Sequence, residues 1–361
     1  LNVITKKNLI QIFIPKQVYI FWDEINTAKE AYRDKIFNGI EGSVKVISSK
    51  ELISILQVWL QVIYQGIDKA CQFGKAICPT YFTFNVKTFE ETEEGITPLE
   101  FELVPMPLFL EGPVRYFKLN KYKNNHNTLY NAVKNSNLYD KKLKMYKVNA
   151  SLATASYEIG RAKAFTPGWL ENESIWMHME YKYLLEILKA GMYKNFFNDL
   201  KEVAIPFLDP KVYGRSIFEN SSFIASSQNP NESYHGRGFV ARLSGSTIEF
   251  MHIWKIMMFG NEIFNIENGE LVLKLAPAIP SYLLGDNRQI VTTLLGNVKL
   301  IYNFDKIQDY IPNEYVVTSY KLEYTTSNVV ILNSEVLVGK LAHDVREGRV
   351  AKLVVDIIDR R

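Results

Sequence analysis

The chain has 361 residues, of which 47% are hydrophobic and 13% aromatic, so it buries a large core and is not a disordered protein. Lys+Arg 42 against Asp+Glu 39 leaves a net charge of +3, too balanced for a nucleic-acid binder that works by neutralising phosphates. No apolar run reaches the ~18 to 20 residues that span a bilayer, and Cys71, Cys78 and the five histidines show no metal-site spacing, so no membrane span and no metal are expected and the thiols are read as reduced, in a cytoplasmic protein.

Taken in order, Asn8 to Phe21 is apolar around Pro15 and reads as a short extended segment entering WDEIN. Thr27 to Phe37 is a charged surface helix broken by Gly39 and Gly42, and Ser49 to Ala70 is a long amphipathic helix behind a serine cap. Alternation from Ile77 to Glu90, followed by the acidic ETEEG, predicts an extended hairpin. The three prolines of PMPLFLEGPVRYFKL allow no ordinary helix before Val114, and the next helix is expected near Asn127.

Pro167 and Gly168 then mark a turn. Glu171 and Glu173 place negative charge at the start of a helix whose Ile175, Met179, Leu184, Leu185 and Leu188 recur at helical spacing. On that reading Trp169, Glu171, Asn172 and His178 gather at one helix entrance, which suits a sugar or an anion, while composition alone favours a helix cap with an aromatic anchor and a satisfied histidine. Helices follow at Glu180 to Ala190, Tyr193 to Val203 and Ser246 to Phe259, and the chain turns β-rich after Gly260. The fold class expected is mainly α with a β domain. Residues 1–268 would be the C-terminal portion of a helical toroid, a partial (α/α) six-hairpin array with its loops on one face, and residues 269–361 a β-sandwich. The start at Leu1 reads as mid-domain sequence, as if a longer protein preceded it.

Two further places carry candidate chemistry. Ser244, Gly245 and Ser246 put hydroxyls and backbone N–H groups at a helix N-terminus, a general anion site and also an ordinary cap. Trp22, Asp23 and Glu24 in WDEIN offer two adjacent carboxylates, one of which like-charge repulsion can keep protonated, and the same residues suit a helix start. Glu111 in FLEGPVR is the rival acid. His235 with Arg237 is a further anion contact or a solvated loop pair, His252 reads as a core histidine, and His126 and His343 lie in polar surroundings.

GRAKAFTPGWLENESIWMH resembles the loop-to-helix segment of the inverting cellobiose and chitobiose phosphorylases, with Gly160-Arg161, Pro167-Gly168, Glu171-Asn172 and His178 in the same order. Glu173 and Ser174 stand where that family has a Gly-Gly pair, which puts two side chains into space the family leaves open. The Asp140-Lys141-Lys142-Leu143 stretch, the SGST at 244–247, which is similar to the family's Thr-Gly-Thr, and Leu271, Leu273, Pro277, Ile279 and Pro280 extend the resemblance over 127–190, 219–260 and 269–303, with a looser fit from Trp22 to Glu90.

The resemblance implies an enzyme that cleaves a β-linked disaccharide or oligosaccharide with inorganic phosphate as co-substrate, without another cofactor, to give an α-sugar 1-phosphate. Phosphate would rest on His178, Ser244 and Gly245, and sugar on Trp22, Arg161, Trp169, Glu171 and Asn172. Glu24 would be the single proton donor with Asp23 beside it, because phosphate replaces the second carboxylate of a hydrolase. A homodimer through a missing N-terminal part is implied as well. Serines after Glu219 replace a family glutamine, and the family's phosphate arginine would precede Leu1. A phosphorylase-like module of a larger glucan-modifying transferase and a non-catalytic carbohydrate-binding protein are the alternatives.

Overall fold

The computed structural model describes residues 15–37, 39, 44–74, 76–93, 95–240 and 245–360. The expectations for Asn8 to Ile14, Gly42 and Ser244 therefore lie outside the described residues.

Helix α1 spans Pro15–Phe37 and α2 Ser49–Phe73. The extended segment expected around Pro15 is instead the start of α1, since proline costs a helix nothing where its missing N–H has no partner. The Ser48 hydroxyl caps α2 by accepting from Glu51 N at 3.2 Å. Strands β1 (Phe82–Thr92) and β2 (Gly95–Pro105) form the expected antiparallel hairpin, and α1 packs against β2.

Helix α3 begins at Glu111 and ends at Phe117, three residues earlier than the prolines suggested, because Pro113 falls in the first turn where no intrahelical bond is lost. It is followed by α4 (His126–Lys134) and the two-residue strands β3 (Tyr139–Asp140) and β4 (Met145–Tyr146). His126 is buried and packed on Phe117 at 4.8 Å, so the polar setting expected for it is corrected.

Strand β5 (Ile175–Trp176) leads directly into α5 (Met177–Lys189), and α6 (Tyr193–Val203), α7 (Pro210–Tyr213), β6 (Phe223–Ile224), β7 (Gly238–Phe239) and α8 (Ser246–Phe259) follow. Strands β5, β6 and β7 make a small antiparallel sheet, while α5 packs on α3, α6 and α8. Asp199 on α6 ties this layer together: buried, it accepts from Tyr146 Oη at 2.6 Å and Tyr130 Oη at 3.1 Å and pairs with Lys134.

The last third contains β8 (Phe264–Glu267), β9 (Glu270–Leu273), β10 (Gln289–Leu294), β11 (Val298–Phe304), β12 (Tyr315–Tyr324), β13 (Val329–Leu332), β14 (Leu337–Val338), α9 (Lys340–Arg346) and β15 (Val350–Asp359). A five-stranded sheet has the order β10-β11-β15-β12-β13, with β11 and β15 parallel and its other pairs antiparallel, and a three-stranded sheet has the order β14-β9-β8. Alternate residues of β11 and β15, among them Leu300, Tyr302, Leu353 and Val355, face the core, as the two-residue period of a strand requires. That face joins the helical layer in one contiguous core, and Tyr302 Oη donates to Met258 O on α8 at 2.7 Å. The boundary expected between 268 and 269 falls in the turn of the β8–β9 hairpin.

The expected class, a partial α/α toroid followed by a β-sandwich, is thereby corrected to a mixed α/β fold. Among the described residues there are nine helices at 39% helix and 26% strand spread over several small sheets. A toroid needs paired helices of similar length around a ring. After α2 the helices are 4 to 14 residues long and are interrupted by strands that pair with one another.

Candidate functional site

The loop from Gly160 to Ile175 is a hydrogen-bonded turn structure rather than a helix entrance. Gly168 sits at φ +74°, and a Cβ there would lie 2.5 Å from the backbone N of Asn229, so the turn admits only glycine at this approach. Trp169 and Asn172 then exchange backbone hydrogen bonds at 3.1 Å across Leu170 and Glu171, with Leu170 at φ +48°. The helix that sequence periodicity starts near Glu171 begins at Met177, because residues 169–172 close this tight turn and Ile175–Trp176 pair with β6.

Each expected sugar contact has a definite place. Trp169 packs its ring against Phe239, Phe223 and Tyr234 at centroid distances of 4.5, 5.0 and 5.8 Å, and so clamps this loop to the loop before α8. Asn172 is buried and donates from Nδ2 to Phe165 O at 2.7 Å, a bond that holds the loop. Glu171 stands at the turn tip and receives Arg161 Nη2 at 3.1 Å, with Arg161 exposed to solvent. Arg161 and Glu171 are therefore the pair that a ligand at this loop can reach. Trp22 is exposed on α1, whose main packing partner is β2.

Glu173 and Ser174 turn inward, contrary to the expectation that they fill open sugar space. Glu173 adopts φ +58°, a conformation that favours glycine, and its carboxylate meets Lys147 Nζ at 2.7 Å with both side chains buried. Ser174 Oγ donates to Leu170 O. The buried pair explains how a glutamate occupies a glycine-like backbone position. Asn149 completes the arrangement by accepting from Glu173 N at 2.7 Å and donating to Glu171 O at 2.6 Å.

His178 lies in the first turn of α5 and Gly245 immediately precedes α8. A Cβ on Gly245 would sit 2.5 Å from His178 Nε2, so the imidazole rests against the bare backbone at the start of α8. Glu249, one turn into α8, approaches His178 Nε2 with Oε1 at 3.5 Å, and both side chains remain partly open to solvent. Imidazole, helix N-terminus and carboxylate thus share one point. An anion there is favoured by the helix end and must compete with Glu249.

The candidate acids separate clearly. Asp23 and Glu24 are exposed on α1, whereas Glu111 opens α3, which packs on α5. Glu111 Oε1 accepts from Arg115 Nη2 at 2.7 Å and lies 4.0 Å from Lys182 Nζ, and Lys182 is one helical turn beyond His178. Of the three, Glu111 is the one tied to the helix that carries His178. His235 belongs to the loop scaffold: its Nε2 meets Asn229 O at 2.7 Å and its Nδ1 meets Lys142 Nζ at 2.9 Å, which makes Nε2 the donor and Nδ1 the acceptor. His252 is half-buried, and burial together with Lys189 and Lys255 lowers its imidazole below the ordinary range.

Glu249, Lys182 and Lys147 were not singled out by sequence reasoning. Lys182 follows His178 by four residues and Glu249 follows Gly245 by four, a spacing that signals a shared helix face. Lys147 carries no such local signal, because its partner Glu173 reaches it only through the fold. Among the described residues no group of His, Cys, Asp and Glu is arranged to hold a metal ion, and no helix is long and apolar enough to cross a membrane. No protein-family model matches the chain, and no curated protein matches it.

Proposed function

We propose that the junction of the 160–176 loop with α5 and α8 is a carbohydrate site with an adjoining phosphate position, used for inverting phosphorolysis of a β-linked disaccharide or oligosaccharide. The observation that carries this reading is the contact of Gly245 with His178, which joins an imidazole to a helix N-terminus from a distant part of the chain. Arg161 and Glu171 supply a charged pair for sugar hydroxyls on the same loop. Glu111 is the preferred proton donor, with inorganic phosphate as co-substrate and nucleophile. The protein acts in the cytoplasm, where Cys71 and Cys78 stay reduced; burial and the neighbouring Cys71 push the Cys78 thiol up to about 12.

A second reading is non-catalytic binding of the same sugars, favoured by the exposure of Asp23 and Glu24 on α1, whose main packing partner is β2. Phosphate titration followed by calorimetry, with β-disaccharide present and absent, tests both. His178→Ala should weaken phosphate binding about tenfold or more, the effect of losing one charge-assisted contact. Unchanged phosphate affinity in that variant defeats the anion site, and disaccharide binding without release of an α-sugar 1-phosphate favours the second reading.

A further inference from the structure

A cavity of ≈ 430 Å³ opens where the β8–β9 hairpin, the β10–β11 turn and the end of α9 meet, lined by Phe264, Asn265, Ile266, Leu271, Leu295 and Arg346. Its size is within the range of small-ligand sites, roughly 300 to 1,000 Å³. Leu271 is buried at its floor, while Ile266 and Leu295 are 62% and 49% exposed at its walls.

Two features set this cavity apart from an incidental surface hollow. Leu295 takes φ +53° and Gly296 φ +79° in the turn between β10 and β11, a turn whose first position ordinarily takes Asn, Asp or Gly. The β8–β9 turn nearby obeys that preference with Asn268 and Gly269. A bulky exposed leucine in a left-handed conformation thus defies both solvation and backbone preference, and its side chain lines the cavity.

The second feature is Arg346. Its guanidinium sits 5.8 Å from the centre of the Phe264 ring, and among the described residues it makes no ion pair. Arg349, three residues on, behaves in the opposite way. It pairs with Asp344 at 2.6 Å and with Glu347, so the carboxylates near the end of α9 are already engaged. Arg346 is left as a positioned cation at the rim of an apolar cavity.

We propose that this cavity binds a small amphipathic carboxylate, its aromatic or branched apolar body between Phe264, Ile266, Leu271 and Leu295 and its anionic head on Arg346. One guanidinium offers the two parallel donors a carboxylate accepts. The apolar walls disfavour a sugar or a free inorganic anion. The site lies on the β-rich third of the chain and is independent of the His178 junction.

The test uses 3-phenylpropionate as probe, with 3-phenylpropanamide as its uncharged counterpart, titrated into the full chain and read by NMR shifts of the Ile266 and Leu295 methyl groups. The carboxylate should bind at least about tenfold tighter than the amide, and Arg346→Gln should remove that difference. Leu295→Asn, which suits the turn, should raise the thermal midpoint and yet weaken probe binding. Equal binding of carboxylate and amide, or full affinity in Leu295→Asn, overturns the proposal. A lowered midpoint in Leu295→Asn would also count against it, since the leucine would then serve the fold and not a ligand.

Discussion

His178 Nε2 stands 3.5 Å from Glu249 Oε1, and the absence of a side chain on Gly245 is what lets the imidazole rest at the start of α8. Gly245 has φ −73°, which any residue accepts, so alanine there meets a steric and not a conformational obstacle. Gly245→Ala should therefore destabilise the protein by about 1 to 3 kcal/mol through overpacking and should displace the imidazole. Adding His178→Ala to it should restore most of that stability, because the obstructing ring is gone. Additive losses in the double variant, measured by denaturant unfolding, would show that the two residues do not press on each other.

The Lys147–Glu173 pair allows a test of why a glutamate occupies a left-handed position. Glu173→Gly relieves backbone strain on the order of 1 kcal/mol and leaves a buried ammonium without its partner, a loss of about 3 to 5 kcal/mol. The net expectation is a clear destabilisation. Lys147→Met combined with Glu173→Gly should recover most of it, since the uncompensated charge is removed and the backbone stays relaxed. If Glu173→Gly alone is more stable than the parent chain, the ion pair contributes nothing and the strain is what matters; equal stability would mean that the pair only offsets the strain.

The elements that sequence made legible are those with local causes. Ser48 before α2, the alternation of β1 and the runs of α6 and α8 all announce themselves within one or two turns of chain. The start of α5 did not, because Glu171 and Glu173 look like helix-start charges. In the fold Glu171 pairs with Arg161 and Glu173 with the distant Lys147. The same non-locality hid the overall class. Helical periodicity describes each helix of the 177–259 region without showing that a three-stranded sheet of β5, β6 and β7 lies among them. The candidate site was half legible: His178 and Gly245 were named, and their meeting point with Glu249 was not.

Glu180 provides a prediction in pH. It is fully buried, accepts from Tyr146 N at 2.8 Å through Oε1, and its other oxygen has no hydrogen-bond partner among the described residues. Burial raises its carboxyl well above the usual 4.5. The folded state thus keeps a proton that the unfolded state releases above that value, so the unfolded state binds fewer protons and stability falls as pH rises. The loss begins near the unfolded pKa and grows by about 1.4 kcal/mol per pH unit until the folded pKa is reached. Glu180→Gln keeps the acceptor for Tyr146 N and abolishes this dependence. Its thermal midpoint should exceed that of the parent chain at about pH 8 and approach it near pH 4 to 5. A constant offset at both pH values would mean that Glu180 is equally charged in the folded and unfolded states.

The sharpest prediction concerns the proton donor. Glu111 lies on α3 against α5 and reaches Lys182, one turn from His178, whereas Glu24 is exposed on α1. Protonation of a poor leaving group contributes on the order of 10² to 10⁴ in rate. Glu111→Gln should lower phosphorolysis of an unactivated β-disaccharide by that factor, and Glu24→Gln should leave it within about twofold. In the synthetic direction a sugar fluoride needs far less proton assistance, so Glu111→Gln should lose much less on that donor. An unchanged thermal midpoint is also expected, because Gln still accepts from Arg115, whose contact with Glu111 is partly open to solvent. Equal loss on both donors would give Glu111 a structural role through Arg115. Full activity in Glu111→Gln with loss in Glu24→Gln would return the acid to α1 and require that helix to reach the loop of Arg161.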